Sequence, residues 1–173
     1  NDVTVDPRDS NKIYAATNSG LFRSLDAGMT WSQIGSGILF SVYNVTVSPA
    51  DSNVIFTNGV YRSTDGGSAW AQVIGSANGC IAINPKNPDI VIALNQFSNT
   101  VYKSSDGGTS WGTRTPPTSD YLTSVVFDST GKLYLSAYHG AFSSVDNGDN
   151  YTSIATLNGY PDHPHDSIFC LTS

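Results

Sequence analysis

Two kinds of side chain in this 173-residue sequence have the types and placing for chemistry, its carboxylates and its three histidines. Hydrolysis of a glycosidic bond needs one unequal pair of acids facing across a cleft, roughly 5–9.5 Å apart. Asp120 and Asp166 are the candidates for such a pair. Around them lie Tyr121, Tyr138, His139, Tyr160, Asp162, His163 and His165, rings interleaved with acids and imidazoles. That mixture suits a sugar chain: rings stack on the apolar sugar faces and polar groups take the hydroxyls. The plainer reading of "YPDHPH" is an exposed connection stiffened by proline, its histidines in solvent. A zinc site from His139, His163, His165 and Asp162 would have irregular spacing, so no metal and no cofactor is expected.

A second set of carboxylates is repeated four times. "SLDAGMTW" begins at Ser24, "STDGGSAW" at Ser63, "SSDGGTSW" at Ser104 and "SVDNGDNY" at Ser144. Each has Ser, then Asp two residues on (Asp26, Asp65, Asp106, Asp146), then Gly (Gly28, Gly67, Gly108, Gly148). An aromatic ring closes each one (Trp31, Trp70, Trp111, Tyr151). Four equal acids spread by a repeat do not converge on one atom, and each would be a solitary metal ligand. A structural role is expected instead. The short carboxylate accepts backbone N–H groups of a tight turn, the glycine supplies positive φ, and the ring buries area.

The elements that must position these residues follow from the same repeat. The four serines are 39, 41 and 40 residues apart, a period of radial or stacked units. Each unit reads as four short strands, A to D, with period-2 alternation and Gly, Asn, Asp or Pro between them. The first strands are "VTVDP", "VTVSP", "IAINP" and "VVFDS", from Val3, Val45, Ile81 and Val125. No segment shows a helical stripe. The expected fold is all-β, a β-propeller of four-stranded antiparallel blades, about four in this chain. The blades should fall near 1–40, 41–77, 78–120 and 121–164, one propeller region over 1–173. Residues 165–173 read as the first strand of a further blade. The surplus strand implies an incomplete propeller, or one assembled with further copies or remaining blades.

In this arrangement the A–B and C–D turns share one face, and the D–A and B–C loops share the other. The D–A loops are 35–43, 75–79, 114–122 and 157–167. The second face is therefore where Asp120, Tyr121, "AYHG" and the 157–167 loop should meet.

Ser-x-Asp-x-Gly-x-x-Trp between third and fourth strands resembles the Asp-box, or BNR, repeat of sialidases, family 74 xyloglucan hydrolases, sortilin-type receptors and a photosystem assembly factor. "DPRDSNKIYAATNSGLFRSLDAGMTW" is most similar to the family 74 style of blade. The resemblance implies the propeller and no single activity, because these relatives share the blade and differ in function. Two functions are weighed from it. One is a non-catalytic secreted or surface module that binds a glycan or protein through the D–A/B–C face. The other is part of an endo-acting glycoside hydrolase on xyloglucan or a related β-glucan. Against the second, neither Asp120 nor Asp166 has a context matching the family's catalytic segments, whose acids come from two separate propellers. A sialidase would need an arginine cluster. Arg23 and Arg62 belong to the blade pattern, their position being Lys103 and Ser143 in the other units, which leaves Arg114 alone near a D–A loop.

Composition narrows the partners. The net charge is −6, with eight Lys and Arg scattered singly, so neither nucleic acid nor an anionic membrane surface is expected. No apolar run is long enough to span a bilayer. The abundance of Ser, Thr, Asn, Gly and Tyr, and the sequons at Asn44 and Asn150, point to an extracellular or cell-surface protein. The chain opens at Asn1 without a methionine or a leader, which fits a removed signal or a longer parent. Cys80 and Cys170 are expected as two separate buried thiols.

Overall fold

The computed structural model describes residues 1–35, 38, 41–58, 61–75, 79–95 and 97–156, the last two as backbone. Among them there is no helix. Sixteen strands among the described residues form four antiparallel sheets, each built from four strands consecutive in sequence and adjacent in space. Each sheet is a propeller blade, and the fold is all-β with four blades.

The chain divides into two compact units, Asn1–Ser76 and Ala77–Ser173. In the first, β1 to β4 (Asp2–Asp6, Asp9–Thr17, Gly20–Ser24, Ser32–Ile34) form one sheet. The next contains β5 to β8 (Val45–Val47, Ile55–Thr57, Tyr61–Ser63, Ala71–Gln72). Alternation sends Tyr14, Ala16 and Leu21 to one face of the first sheet, where they bury against Val42, Val45, Val47 and Ile55 of the second. Ile34 and Trp70 pack onto the edge of this core.

The second unit repeats the plan. Its first sheet is β9 to β12 (Ile81–Ile83, Val91–Asn95, Thr100–Ser104, Gly112–Arg114). Its second is β13 to β16 (Leu122–Phe127, Leu133–Ala137, Gly140–Ser144, Thr152–Thr156). Ile92, Leu94 and Val101 of one sheet meet Val125, Phe127, Leu133 and Leu135 of the other. Burying such a side chain contributes about 1.5–3 kcal/mol, so these seams hold each unit together.

Polar contacts also cross the seams. Arg23 Nη1 donates to the Gly66 carbonyl at 2.8 Å, and Ser52 Oγ donates to Asp6 Oδ1 at 2.9 Å. In the second unit Lys103, in Arg23's repeat position, reaches Asp149 at 2.6 Å, and Arg114 Nε reaches the same carboxylate at 2.8 Å. Lys103 first, then Arg114, hold the Asp149 carboxyl below its ordinary range. The cation before each repeated turn, where there is one in these pairs, thus ties its blade to the turn of the next.

One expectation is corrected here. Cys80 is disulfide-bonded, so it is not a separate buried thiol. Cys170 and the strand expected over 165–173 lie outside the described residues. Asn44 is buried at the start of β5, which leaves no room for a sugar on its sequon in this packing, whereas Asn150 is exposed.

Candidate functional site

The four repeated turns join the third and fourth strand of every sheet, and their internal bonding is nearly identical. In each, the serine hydroxyl donates to the first carboxylate oxygen at 2.7–2.8 Å. The glycine N–H donates to the serine oxygen at 2.8–2.9 Å. The N–H four residues after each aspartate donates to its Oδ1 at 2.8–2.9 Å. The indoles of Trp31, Trp70 and Trp111 donate to the carbonyls of Gly28, Gly67 and Gly108 at 3.0–3.1 Å. Two consecutive residues have positive φ, and the second is always glycine. At Gly67, with φ of 92°, a Cβ would also stand 2.7 Å from Ile34 Cδ1, so a substitution there strains the backbone and displaces the Ile34 side chain.

This bonding fixes the charge state of the acids. The Thr30 hydroxyl, then the Thr30 N–H and the Ser24 hydroxyl, hold Asp26 down to about 2. Asp106 is pulled still lower, first by the Ser110 side chain, and Asp146 likewise by Asn150. Asp65 is lowered mainly by the Ala69 N–H, with no side-chain donor at that position. Tyr151, which replaces the tryptophan, has its phenol pushed up to about 12 by burial, with Asp146 and Asp149 adding to the effect. Carboxylates held ionised by their own turn do not serve as general acids.

The turns lie beside the A–B turns: the N–H groups of Ala27, Gly66 and Gly107 donate to Asn11, Asn53 and Asp89. The other loops meet one another. Val42 N–H donates to Thr17, and Tyr138 N–H donates to Tyr121 at 2.9 Å. Asp120 and Tyr121, ending one D–A loop, therefore sit against the B–C loop that carries Tyr138 and His139.

Here the structure brings four of the candidate residues together. His139 Nδ1 lies 2.8 Å from Asp120 Oδ2, which also accepts the His139 N–H at 2.7 Å. Asp120 Oδ1 accepts the Tyr121 N–H at 3.0 Å. With a carboxylate facing it, Nδ1 must carry a proton; in the neutral ring Nε2 is then left as an acceptor. The Tyr138 ring meets the imidazole edge-on, with centroids 5.0 Å apart. Tyr121 is 67% exposed, and the side chains of His139 and Asp120 are 41% and 21% exposed. The result is a fixed polar pair flanked by an open ring.

Asn99 and Thr118 were not singled out by sequence, yet they brace this corner. Asn99 Nδ2 donates to the Thr118 carbonyl at 2.9 Å, and Thr118 Oγ1 accepts the Asp120 N–H at 3.1 Å. Asn99 Oδ1 is buried without a hydrogen-bond partner. Asn99 has a positive φ of 49°, a region that asparagine tolerates in tight turns. Phe97, 76% exposed in the same B–C loop as Asn99, was also unmarked by sequence. Tyr160, Asp162, His163, His165 and Asp166 lie outside the described residues. Among the described residues, no three His, Cys, Asp or Glu side chains are grouped to hold a metal ion.

No protein-family model and no curated protein matches the chain. Solved structures do. The chain is similar to an ancestral GH74 enzyme, with 29% identity and a TM-score of 0.76 over 93% of this chain. It spans 24% of that enzyme's length. It also shares its fold with YCF48 from Cyanidioschyzon merolae at 18% identity and a TM-score of 0.64, covering 90% of this chain and 56% of that one. A structure of YCF48 bound to D1 peptide matches at 20% identity and a TM-score of 0.58, covering 82% of this chain and 50% of that one.

Proposed function

We propose that this chain is a non-catalytic propeller module whose D–A/B–C loop face takes a glycan chain. The observation that carries the reading is the Asp120–His139 pair beside the open Tyr121 ring. Both Asp120 oxygens are committed, Oδ1 to the Tyr121 N–H and Oδ2 to His139. A carboxylate so bonded fixes the orientation of the His139 ring and of the Tyr121 backbone beside it. His139 Nε2 can accept from a sugar hydroxyl while Tyr121 stacks on a pyranose face. A peptide is the competing ligand class, because YCF48, which has this fold, is bound to D1 peptide in one structure.

The four repeated turns we read as Asp-box clamps that stabilise their hairpins and take no part in binding. An extracellular or surface location fits the Cys80 disulfide, since such bonds persist in oxidising compartments.

A second reading is favoured by the likeness to the ancestral GH74 enzyme: the chain is part of a glycoside hydrolase on a β-glucan. One experiment separates the readings. Xyloglucan oligosaccharides are titrated into the protein by calorimetry, and reducing ends are measured in parallel. Binding that Tyr121→Ala weakens at least tenfold, with no reducing ends released, is the expected result. Reducing ends lost in Asp120→Asn or Asp166→Asn would favour the hydrolase. Absence of binding to sugars would overturn the glycan reading.

A further inference from the structure

Within the glycan reading, on which this inference rests, we propose that Phe97 is a second stacking platform, so that the site grips a run of sugars and not one residue. Residues 96–99 separate β10 from β11, whereas two residues separate β2 from β3 and two separate β14 from β15. Extra residues in one unit of a repeat fall on a loop, often on the binding face. This longer loop carries Phe97, whose ring is 76% exposed.

The tip that presents the ring is bonded from within. Asn95 is 6% exposed, and its Oδ1 accepts the Phe97 N–H at 3.0 Å and the Ser98 N–H at 3.1 Å. Ser98 Oγ and Thr100 Oγ1 lie 2.9 Å apart. The backbone beneath Phe97 is thereby fixed, so stacking on its ring costs little further ordering. Both N–H groups are committed to Asn95, which takes them away from a peptide strand laid along this tip.

Residues 118–121 join the tip to the polar pair. On one side Asn99 Nδ2 donates to the Thr118 carbonyl at 2.9 Å. On the other, the Tyr138 N–H donates to the Tyr121 carbonyl, and the His139 N–H donates to Asp120 Oδ2. The Phe97 tip, the Tyr121 bridge and the His139 tip therefore follow one another across two neighbouring blades. A phenyl ring has no polar atom, so it meets a sugar only through stacking and apolar contact. Tyr121 and His139 hold one sugar by its face and a hydroxyl. Phe97 adds grip only for a ligand long enough to pass from one blade to the next.

The test is calorimetric titration of the xyloglucan heptasaccharide and of isoprimeverose, its disaccharide fragment. The wild-type chain is compared with Phe97→Ala, Phe97→Tyr and Tyr121→Ala, the folding of each checked by circular dichroism. The wild type is expected to bind the heptasaccharide more tightly than isoprimeverose. Phe97→Ala should weaken the heptasaccharide about five- to tenfold and leave isoprimeverose unchanged, while Phe97→Tyr, which keeps a ring, retains the affinity. An unchanged heptasaccharide affinity in Phe97→Ala, with Tyr121→Ala still weakened, overturns the role of Phe97 and leaves the glycan reading standing. So does isoprimeverose binding as tightly as the heptasaccharide, which would mean a one-sugar site. No heptasaccharide binding to the wild type overturns the glycan reading and the second platform together.

Discussion

Ala27 occupies the first of the two positive-φ positions in its turn, at 56°, where the other three turns have Gly66, Gly107 and Asn147. A left-handed backbone places Cβ against the following carbonyl, which costs alanine about 1–2 kcal/mol, partly offset by the greater chain entropy of glycine. Ala27→Gly is therefore expected to stabilise the protein by about 0.5–1 kcal/mol, read from denaturant midpoints. The aspartate just before it gives a pH signature. Asp26 is held at about 2 in the folded chain and Asp106 lower, against about 3.9 for a free aspartate. A depressed folded value means that the stabilisation is complete above about pH 4 and is lost as pH falls through about 2. Asp106→Asn should thus lower the melting temperature at pH 7, by a gap that narrows steadily below pH 4. Asp65→Asn should show a smaller gap, since Ala69 offers no side-chain donor. Equal gaps, or a gap that widens in acid, would contradict the assignment of these bonds.

At the scale of elements, one repeat position has two different environments. Val45 in β5 is buried under the neighbouring sheet, while Val3 in β1 faces outward. Val45→Ala removes two buried methyl groups and leaves a cavity, an expected loss of about 2–3 kcal/mol. Val3→Ala should cost less than about 0.5 kcal/mol in the same urea titration, because little of that side chain leaves water on folding. The comparison also shows what sequence alone revealed. Among the described residues the repeat located the sixteen strands, since alternation and turn residues are local properties, and it placed "VTVDP" and "VTVSP" in the same role. It carried no sign that one valine pair would be covered and the other open, because that depends on which sheet lies alongside. The site was legible to the same depth. Loop order put Asp120 and His139 on one face, but their 2.8 Å contact depends on the turn geometry of Asn99 and Thr118, which no residue pattern encodes.

Over the whole molecule, one covalent link adds to these seams. Two cysteines far apart in a 173-residue sequence gave no framework spacing to announce it. Cys80 sits next to β9, its side chain within the core that joins the two sheets of the second unit. Because Cys80 is disulfide-bonded, the cross-link restricts the unfolded chain and so contributes to stability. Reduction is expected to lower unfolding free energy by about 2–5 kcal/mol, the range for native disulfides in small domains. The measurement is a pair of denaturant curves with and without dithiothreitol, with free thiols titrated to show that the bond has been cleaved. Cys80→Ser should lose a similar amount and no longer respond to the reductant. A wild-type midpoint that does not move once the thiols are shown to be free would mean that the noncovalent seams fix the fold by themselves.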